Sequence, residues 1–305
     1  MKYKFVIAAV ALCAVSPSAL FAQVVPPAAP LTAPAAAPVT LSYKFVVGQV
    51  HRYQYDMDMN MLMLTGQTGA GIPINTTMQM TMKQYVKSVR PTDGAATLIT
   101  RIEEMHMLNN GQEAPLPDDQ QAKMKQPFTQ VMLPTGKILS MDMPAIGGAG
   151  MPGMDFSKGM FSGMAFLPTG SVKIGDTWDG TTAAAMAGVS LTFKSTLTGI
   201  DQKNGASLAA IQNKQTGTLD MTMTKGMPAP VKIQGQITGT GSQVFDTTAG
   251  AIQSAAGTSS TDMTMTFGPS ADGAVPTGMP QGMKMQMQMK YKMERLSDTA
   301  PAVAP

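Results

Sequence analysis

Residues 53–64, YQYDMDMNMLML, alternate between two kinds of side chain with a period of two. Successive side chains of a β-strand point to opposite faces of a sheet, so the alternation predicts one long strand with an aromatic and thioether face and a largely polar face. At about 3.4 Å per residue the stretch would span roughly 40 Å, longer than an ordinary strand, which indicates a curved sheet. The residues predicted to share the apolar face and to face a ligand are Tyr53, Tyr55, Met57, Met59, Met61 and Met63.

A mirror of that stretch, MKMQMQMKYKM, occupies residues 283–293. Its methionines and its tyrosine alternate with lysines and glutamines, which predicts a second amphipathic strand with a thioether face. The residues of this strand predicted to face a ligand are Met285, Met287, Met289 and Tyr291.

The two amphipathic stretches are predicted to be antiparallel neighbours in one sheet. If Met57 lies opposite Tyr291, both thioether faces point the same way and opposite charges meet across the strands. Such pairs contribute about 0.2 to 1 kcal/mol each and fix the register, since a slip of one residue would turn every methionine to the other face. The predicted charge pairs are Asp56 with Lys292 and Asp58 with Lys290.

Residues 65–77 are rich in glycine, threonine and asparagine, include Pro73, and are predicted to be a loop that leads into the strand MQMTMKQYVKSV. This strand and the first amphipathic strand are predicted to form a long hairpin with all thioethers on one face. The predicted partners are Met63 with Met78, Met61 with Met80 and Met59 with Met82.

Turn and helix-capping residues predict three shorter elements between residues 93 and 143. The Asp-Gly pair at 93–94 predicts a hairpin turn, and residues 118–126 predict a short helix that a proline ends. Residues 128–133 and 138–143 flank a Pro-Thr-Gly turn and predict a further hairpin.

The second part of the chain repeats markers of the first. VKIGDTW at 172–178 echoes FVVGQVH at 45–51, and Asn-Gly before ASLAAI at 204–205 echoes Asp-Gly before AATLI at 93–94. The prediction is an all-β protein with long curved antiparallel sheets in two related halves, which can join as an open barrel or a clam. The predicted segments are a signal peptide (1–22), a Pro/Ala-rich linker (23–39), a first β half (40–143), a Gly/Met-rich linker or loop (144–165), a second β half (166–296) and a disordered tail (297–305).

Three segments, YKFVVGQVHRYQY, FLPTGSVKIGDTW and QVFDTTAGAI, resemble an uncharacterised bacterial family of exported proteins and lipoproteins, a domain of unknown function. The resemblance covers most of residues 41–295, and its motifs mark turns and the ends of strands. It implies an exported protein and brings no functional residues with it. Members of the family are often lipid-anchored, and this chain departs from them because it lacks the anchoring cysteine.

Residues 1–22 have the basic start, the apolar core and the small final residue of a secretory signal peptide. The predicted location is therefore periplasmic or secreted. Cys13, the single cysteine, lies inside the apolar core and not at the cleavage point, so no lipid attachment is expected there. The mature chain then has no thiol for a disulfide or a thiolate metal site.

The charge balance favours no polyanionic partner. The chain has 22 basic and 19 acidic residues, and removal of two signal lysines leaves 20 against 19. Neither nucleic acid nor an anionic membrane surface is predicted as a partner. No later stretch approaches the roughly 18 apolar residues of a transmembrane helix.

Methionine is the compositional anomaly, with 30 residues. Burying one large apolar side chain is worth about 1.5 to 3 kcal/mol, so four exposed on one strand would forgo about 6 to 12, which rivals the stability of a whole domain. The methionine stripes must therefore face a core, a ligand or a partner.

Three hypotheses for the role of the methionines stay open beside a further one, in which exposed methionines consume oxidants and are later reduced. They can fill an ordinary core, they can form a flexible wall for the acyl chain of a lipid or another apolar ligand, or their thioethers can bind Cu(I) or Ag(I). The residues predicted for the metal alternative are Met151, Met154, Met160 and Met164.

Nothing in the sequence predicts catalysis or a cofactor. Glu104 and His106 share a strand face, but one strand supplies only two ligands, and a solvated face is the simpler interpretation. No nucleophile motif, zinc motif or phosphate loop is present. The prediction is a non-catalytic exported protein that binds an apolar or amphipathic ligand or a protein partner; the alternatives are a Cu(I)/Ag(I) binder and a purely structural envelope protein.

Overall fold

The computed structural model describes seven ranges of the chain: residues 37–64, 71–114, 118–142, 166–183, 188–224, 229–269 and 282–297. The predicted signal peptide, residues 23–36 of the predicted linker, the whole Gly/Met-rich segment at 144–165 and residues 298–305 of the predicted tail lie outside them.

Nearly every described residue belongs to a β-strand or to a turn between strands. The elements of the first part are β1 (Val39–Thr40), β2 (Val50–Leu64), β3 (Gly71–Val89), β4 (Ala96–Asn109), β5 (Gln112–Glu113), α1 (Asp118–Met124), β6 (Phe128–Met132) and β7 (Ile138–Asp142). The elements of the second part are β8 (Ser171–Val172), β9 (Thr177–Ala183), β10 (Val189–Lys203), β11 (Ala206–Met223), β12 (Val231–Asp246), β13 (Ala251–Phe267) and β14 (Gly282–Leu296). The all-β prediction is confirmed, whereas the predicted segment boundaries stay a prediction.

Twelve of these strands form one antiparallel sheet. Its order is β7-β6-β4-β3-β2-β14-β13-β12-β11-β10-β9, and β5 pairs with β4 beside this path. β1 and β8 form a separate two-stranded sheet. Within the described ranges the edge strands β7 and β9 do not pair with each other, so the large sheet is open.

The first and last long strands of the sheet are neighbours, as predicted. β2 and β14 pair antiparallel with Met57 opposite Tyr291, Asp56 opposite Lys292 and Asp58 opposite Lys290. The register prediction is confirmed, although these charges also have other partners. Lys292 Nζ lies 2.9 Å from Glu294, which raises the pKa of this lysine, and Asp56 adds a smaller effect of the same sign.

The β2–β3 hairpin is confirmed, but its predicted register is wrong. Met78 lies opposite Met57 instead of Met63. Met80 and Met82 are shifted along β2 in the same way. The cause is that β3 begins at Gly71, so residues 71–77, predicted as loop, are strand. The shift from Met63 to Met57 is six residues, an even number, and the thioethers stay on one face. The observed partners are Met57 with Met78, Tyr55 with Met80 and Tyr53 with Met82.

The other local predictions agree with the structure. Gly94 has a φ of +70° in the turn between β3 and β4, α1 lies within the predicted helical segment, and β6 and β7 form the predicted hairpin. Trp178 is half-buried against the main core, and its indole N–H donates to the Phe166 carbonyl at 2.6 Å.

Two turns that the sequence predicts to be equivalent have the same hydrogen bonds. The Gly48 N–H donates to the Val86 carbonyl at 2.9 Å, and the Gly175 N–H donates to the Leu197 carbonyl at 2.7 Å. Val86 and Leu197 each donate back to the residue after that glycine, at 2.9 and 3.1 Å. The match is a local likeness between the two turns, and the two related halves stay a prediction.

Buried side chains form three clusters on one face of the large sheet. The largest collects side chains from both parts of the chain, among them Leu41, Leu98, Leu197 and Phe245. A second surrounds Met80 and Phe128, and a third lies near the other end of β14 and β2. The third consists of Val231, Ile233, Met265 and Met285, with Met61, Met63, Met221, Met263, Phe267 and Met283 packed against it.

The segment at 41–45 covers the largest cluster. Its Tyr43 N–H donates to the Pro134 carbonyl at 2.8 Å, and its Lys44 N–H donates to the Gly250 carbonyl at 3.0 Å. The Tyr43 ring meets the Phe245 ring edge-on, with 5.3 Å between centroids. The segment is therefore held between a turn of each part of the chain.

Tyrosines packed in or against the core clusters make the stability of the fold sensitive to alkaline pH. Burial raises the pKa of Tyr43 and of Tyr55 well above 10, with a smaller effect from neighbouring tyrosines. The neutral phenols stabilise the folded state fully below the unfolded pKa of about 10, and this contribution is lost as the pH rises towards the folded values. We expect the free energy of unfolding, measured in urea, to fall as the pH rises above the unfolded pKa of about 10. The fall should shrink in the double variant Tyr43→Phe/Tyr55→Phe; an equal fall in both proteins would contradict the assignment.

Candidate ligand-binding face

The predicted thioether face is continuous over neighbouring strands. In the structure the methionines of β2 and β14 are directly opposite one another, and the rows extend into β3 and β13. We call this surface of the large sheet the methionine face. Its directly opposed methionine pairs on these four strands are Met57–Met78, Met59–Met289, Met61–Met287, Met63–Met285, Met285–Met263 and Met283–Met265.

The predicted ligand-facing residues differ in exposure. Tyr53 and Met285 are buried, with 5% and 1% of their surface exposed, and they belong to core clusters. Tyr55 is half-buried between the first two clusters, and Met61 and Met63 are half-buried against the third. The remaining predicted residues are half-buried and lie in none of the three clusters: Met57, Met59, Met287, Met289 and Tyr291. We call these five residues the central band.

Glycines continue the central band across the sheet. Gly257 of β13 lies opposite Tyr291, and Gly241 of β12 lies opposite Gly257. A Cβ atom on Gly257 would lie 2.8 Å from the ring and the hydroxyl of Tyr291, so this ring lies over the glycines. Burial raises the pKa of Tyr291. The band therefore changes from flexible thioethers to glycine backbone that is covered by one aromatic ring.

The opposite face of the sheet contains two grooves that run across the strands. The first, of about 910 Å³, is lined by six neighbouring strands, β10–β14 and β2, and the second, of about 820 Å³, lies beside it. Both are lined mainly by lysines, hydroxyls and amides at positions that alternate with the methionines, and they share Asp58, Lys214 and Lys290. Sequence reasoning missed these grooves. The available signal was the run of Thr, Ser and Lys at alternate positions of β10–β14.

The described part of the chain has few side chains suited to acid–base catalysis or to metal binding. His106 and Glu104 are exposed on β4, as the solvated interpretation predicts. In the described ranges no three His, Cys, Asp or Glu side chains come together to hold a metal ion. The methionines predicted for the metal alternative, Met151, Met154, Met160 and Met164, lie outside the described residues.

The one helix of the described chain, α1, has seven residues. Across those same ranges, no helix has the length and hydropathy that a bilayer span requires.

Sequence comparisons identify no relative of the chain. No protein-family model matches it, and no curated protein matches it. The resemblance to an uncharacterised exported family therefore stays a prediction.

Structure comparisons find matches to solved proteins. A lipovitellin structure, described by its lipid–protein interactions, matches 86% of this chain and 26% of its own at 13% identity and a TM-score of 0.50. The chain thus spans about a quarter of the lipovitellin chain. At this identity the likeness shows the fold alone.

Two further matches have much lower scores. OccK2 (OpdF) of Pseudomonas aeruginosa, in complex with glucuronate, matches 83% of this chain and 100% of its own at 5% identity and a TM-score of 0.26. A DUF1329 family protein from Desulfovibrio piger matches 82% of this chain and 87% of its own at 8% identity and a TM-score of 0.15. These scores are too low to support any conclusion about this chain.

Proposed function

We propose that this chain is a non-catalytic exported protein that holds an apolar or amphipathic ligand, such as the acyl chain of a lipid, against the methionine face. The observation that carries the proposal is the central band, whose five large apolar side chains are partly exposed between buried clusters. The compartment rests on the predicted signal peptide, which implies a periplasmic or secreted protein.

The energetics of the central band favour an occupant. Complete burial of a methionine is worth about 1.5 to 3 kcal/mol, so half-buried methionines retain part of that driving force for a ligand. Thioether side chains have three rotatable bonds and adapt to ligands of varied shape. The lipovitellin structure that shares the fold is described by lipid–protein interactions, which is in keeping with an acyl-chain ligand.

The strand pair β2–β14 offers a matched test. Met59 and Met289 are directly opposite on the methionine face, while Asp58 and Lys290, one position along each strand, are opposite on the polar face. Glutamine has nearly the shape of methionine but loses free energy when it contacts an acyl chain. We therefore expect the double variant Met59→Gln/Met289→Gln to bind a fluorescent fatty-acid probe about tenfold more weakly.

The control variant Asp58→Asn/Lys290→Gln should bind the probe as the parent protein does, since it changes only the polar face. Native mass spectrometry of the full chain exported by a bacterial host should show co-purified lipid and cleavage after Ala22. Equal affinities of both variants, or loss of binding in the control alone, would exclude the methionine face as the site.

A further inference from the structure

Three methionines lie side by side on adjacent strands at one level of the methionine face. Met57 of β2 is directly opposite Met78 of β3, and Met78 is directly opposite Met107 of β4. Directly opposed residues of antiparallel strands have Cβ atoms about 4.5 to 5.5 Å apart. Three flexible thioether arms at this spacing can converge on one point above the central residue, Met78.

These three side chains are accessible. Met57, Met78 and Met107 are each half-buried, and none belongs to the three clusters of buried side chains in the described chain. A second row of three opposed methionines, Met63, Met285 and Met263, differs in this respect. It is part of the third cluster, and Met285 is only 1% exposed. An ion can therefore reach all three sulfurs of the first row from solvent, whereas the central methionine of the second row, Met285, is shielded from it.

The chemistry around the first row selects a soft ion. The nearest positions on the same face are occupied by Met59, Met80 and Met105, by the hydroxyl groups of Tyr55, Tyr291 and Thr76, and by Asn109, none of them a carboxylate or an imidazole. His106 lies between Met105 and Met107 in sequence and so points to the other face. Hard cations bind oxygen ligands, usually with carboxylates among them, while neutral thioethers select Cu(I).

We propose that Met57, Met78 and Met107 form a three-thioether site that binds one Cu(I) ion. The ligands stand on paired strands, so the ladder of backbone hydrogen bonds fixes their spacing before the ion arrives. The site shares Met57 with the central band but does not require the proposed lipid ligand, and it differs from the metal alternative of the sequence because it uses strand residues.

The test is an anaerobic competition between the purified full chain and bicinchoninate for Cu(I), followed by the absorbance of the Cu(I)–bicinchoninate complex. We expect the parent protein to withdraw one Cu(I) per chain. The triple variant Met57→Leu/Met78→Leu/Met107→Leu keeps side-chain volume but removes the sulfurs, and its affinity should fall by at least about tenfold.

The second row, whose central Met285 is buried, supplies the control. The variant Met63→Leu/Met263→Leu/Met285→Leu also removes three opposed sulfurs and should retain the Cu(I) affinity of the parent. Thermal unfolding of both variants checks that they fold, and X-ray absorption of the parent complex should show sulfur ligands only. Uptake that survives in the first variant, or that is lost on changing Met151, Met154 and Met160 to Leu, would overturn the proposal.

Discussion

Replacing Phe245 with Ala is expected to lower the free energy of unfolding by about 3 to 5 kcal/mol. Phe245 is fully enclosed in the largest cluster, between Ala209 of β11 and Ile252 of β13. Its ring also supports the edge-on contact with Tyr43, at 5.3 Å between centroids. The variant loses the transfer free energy of the ring and leaves a cavity that a pleated sheet can collapse only in part.

Urea unfolding monitored by circular dichroism measures this loss. Val46→Ala is the matched control, since Val46 directly follows the segment at 41–45 and is 62% exposed. Its expected effect is within about 0.5 kcal/mol. A loss below about 1 kcal/mol for Phe245→Ala would mean that the ring is not packed as described.

The β2–β14 register could be predicted because two independent signals specify it. Alternation fixes which side chains share a face, and the charges at Asp56, Asp58, Lys290 and Lys292 fix the position along the strand. Neither signal alone would have been sufficient, since alternation allows any even shift. The structure has both features in the predicted arrangement.

The β2–β3 register could not be predicted because its hairpin lacks the charge signal and contains a misleading one. Pro73 argued for a loop, since proline cannot donate a ladder hydrogen bond. In the structure Pro73 lies opposite Leu62, but the pairing of β3 with β4 begins only at Thr76. Pro73 therefore has a neighbouring strand on one side alone, and the missing donor costs the sheet little.

The candidate sites were predictable to different degrees. The methionine face follows from the period of two, so its residues could be named from the sequence. Its exposure could not, because burial of Met285 depends on Ile233 and Met265, which are distant in the chain. The two grooves of the polar face escaped prediction for the same reason, since their lining comes from six strands and no single strand contains the signal.

Gly250→Ala is expected to lower the free energy of unfolding by about 3 kcal/mol or more, through two separate effects. Gly250 has a φ of +65°, a left-handed conformation that costs a residue with a Cβ atom about 1 to 2 kcal/mol. The added Cβ would also overlap the Cβ, the Cγ and the backbone nitrogen of Lys44. Relief of that overlap must move the segment at 41–45 and stretch the bond from the Lys44 N–H to the Gly250 carbonyl, now 3.0 Å.

Gly205→Ala separates the two effects. Gly205 has a φ of +79°, and a Cβ atom there would have no neighbour within 4 Å, so this variant bears only the conformational cost of about 1 to 2 kcal/mol. Urea unfolding measures the loss in free energy of unfolding for each variant. The difference between the two losses is the contribution of the contact between the turn that contains Gly250 and the segment at 41–45. Equal losses would show that Lys44 moves aside freely, in which case the turn does not hold that segment. A larger loss at Gly250, accompanied by faster hydrogen exchange of the Tyr43 and Lys44 amides, is the expected result, because these two hydrogen bonds fix the segment to the sheet.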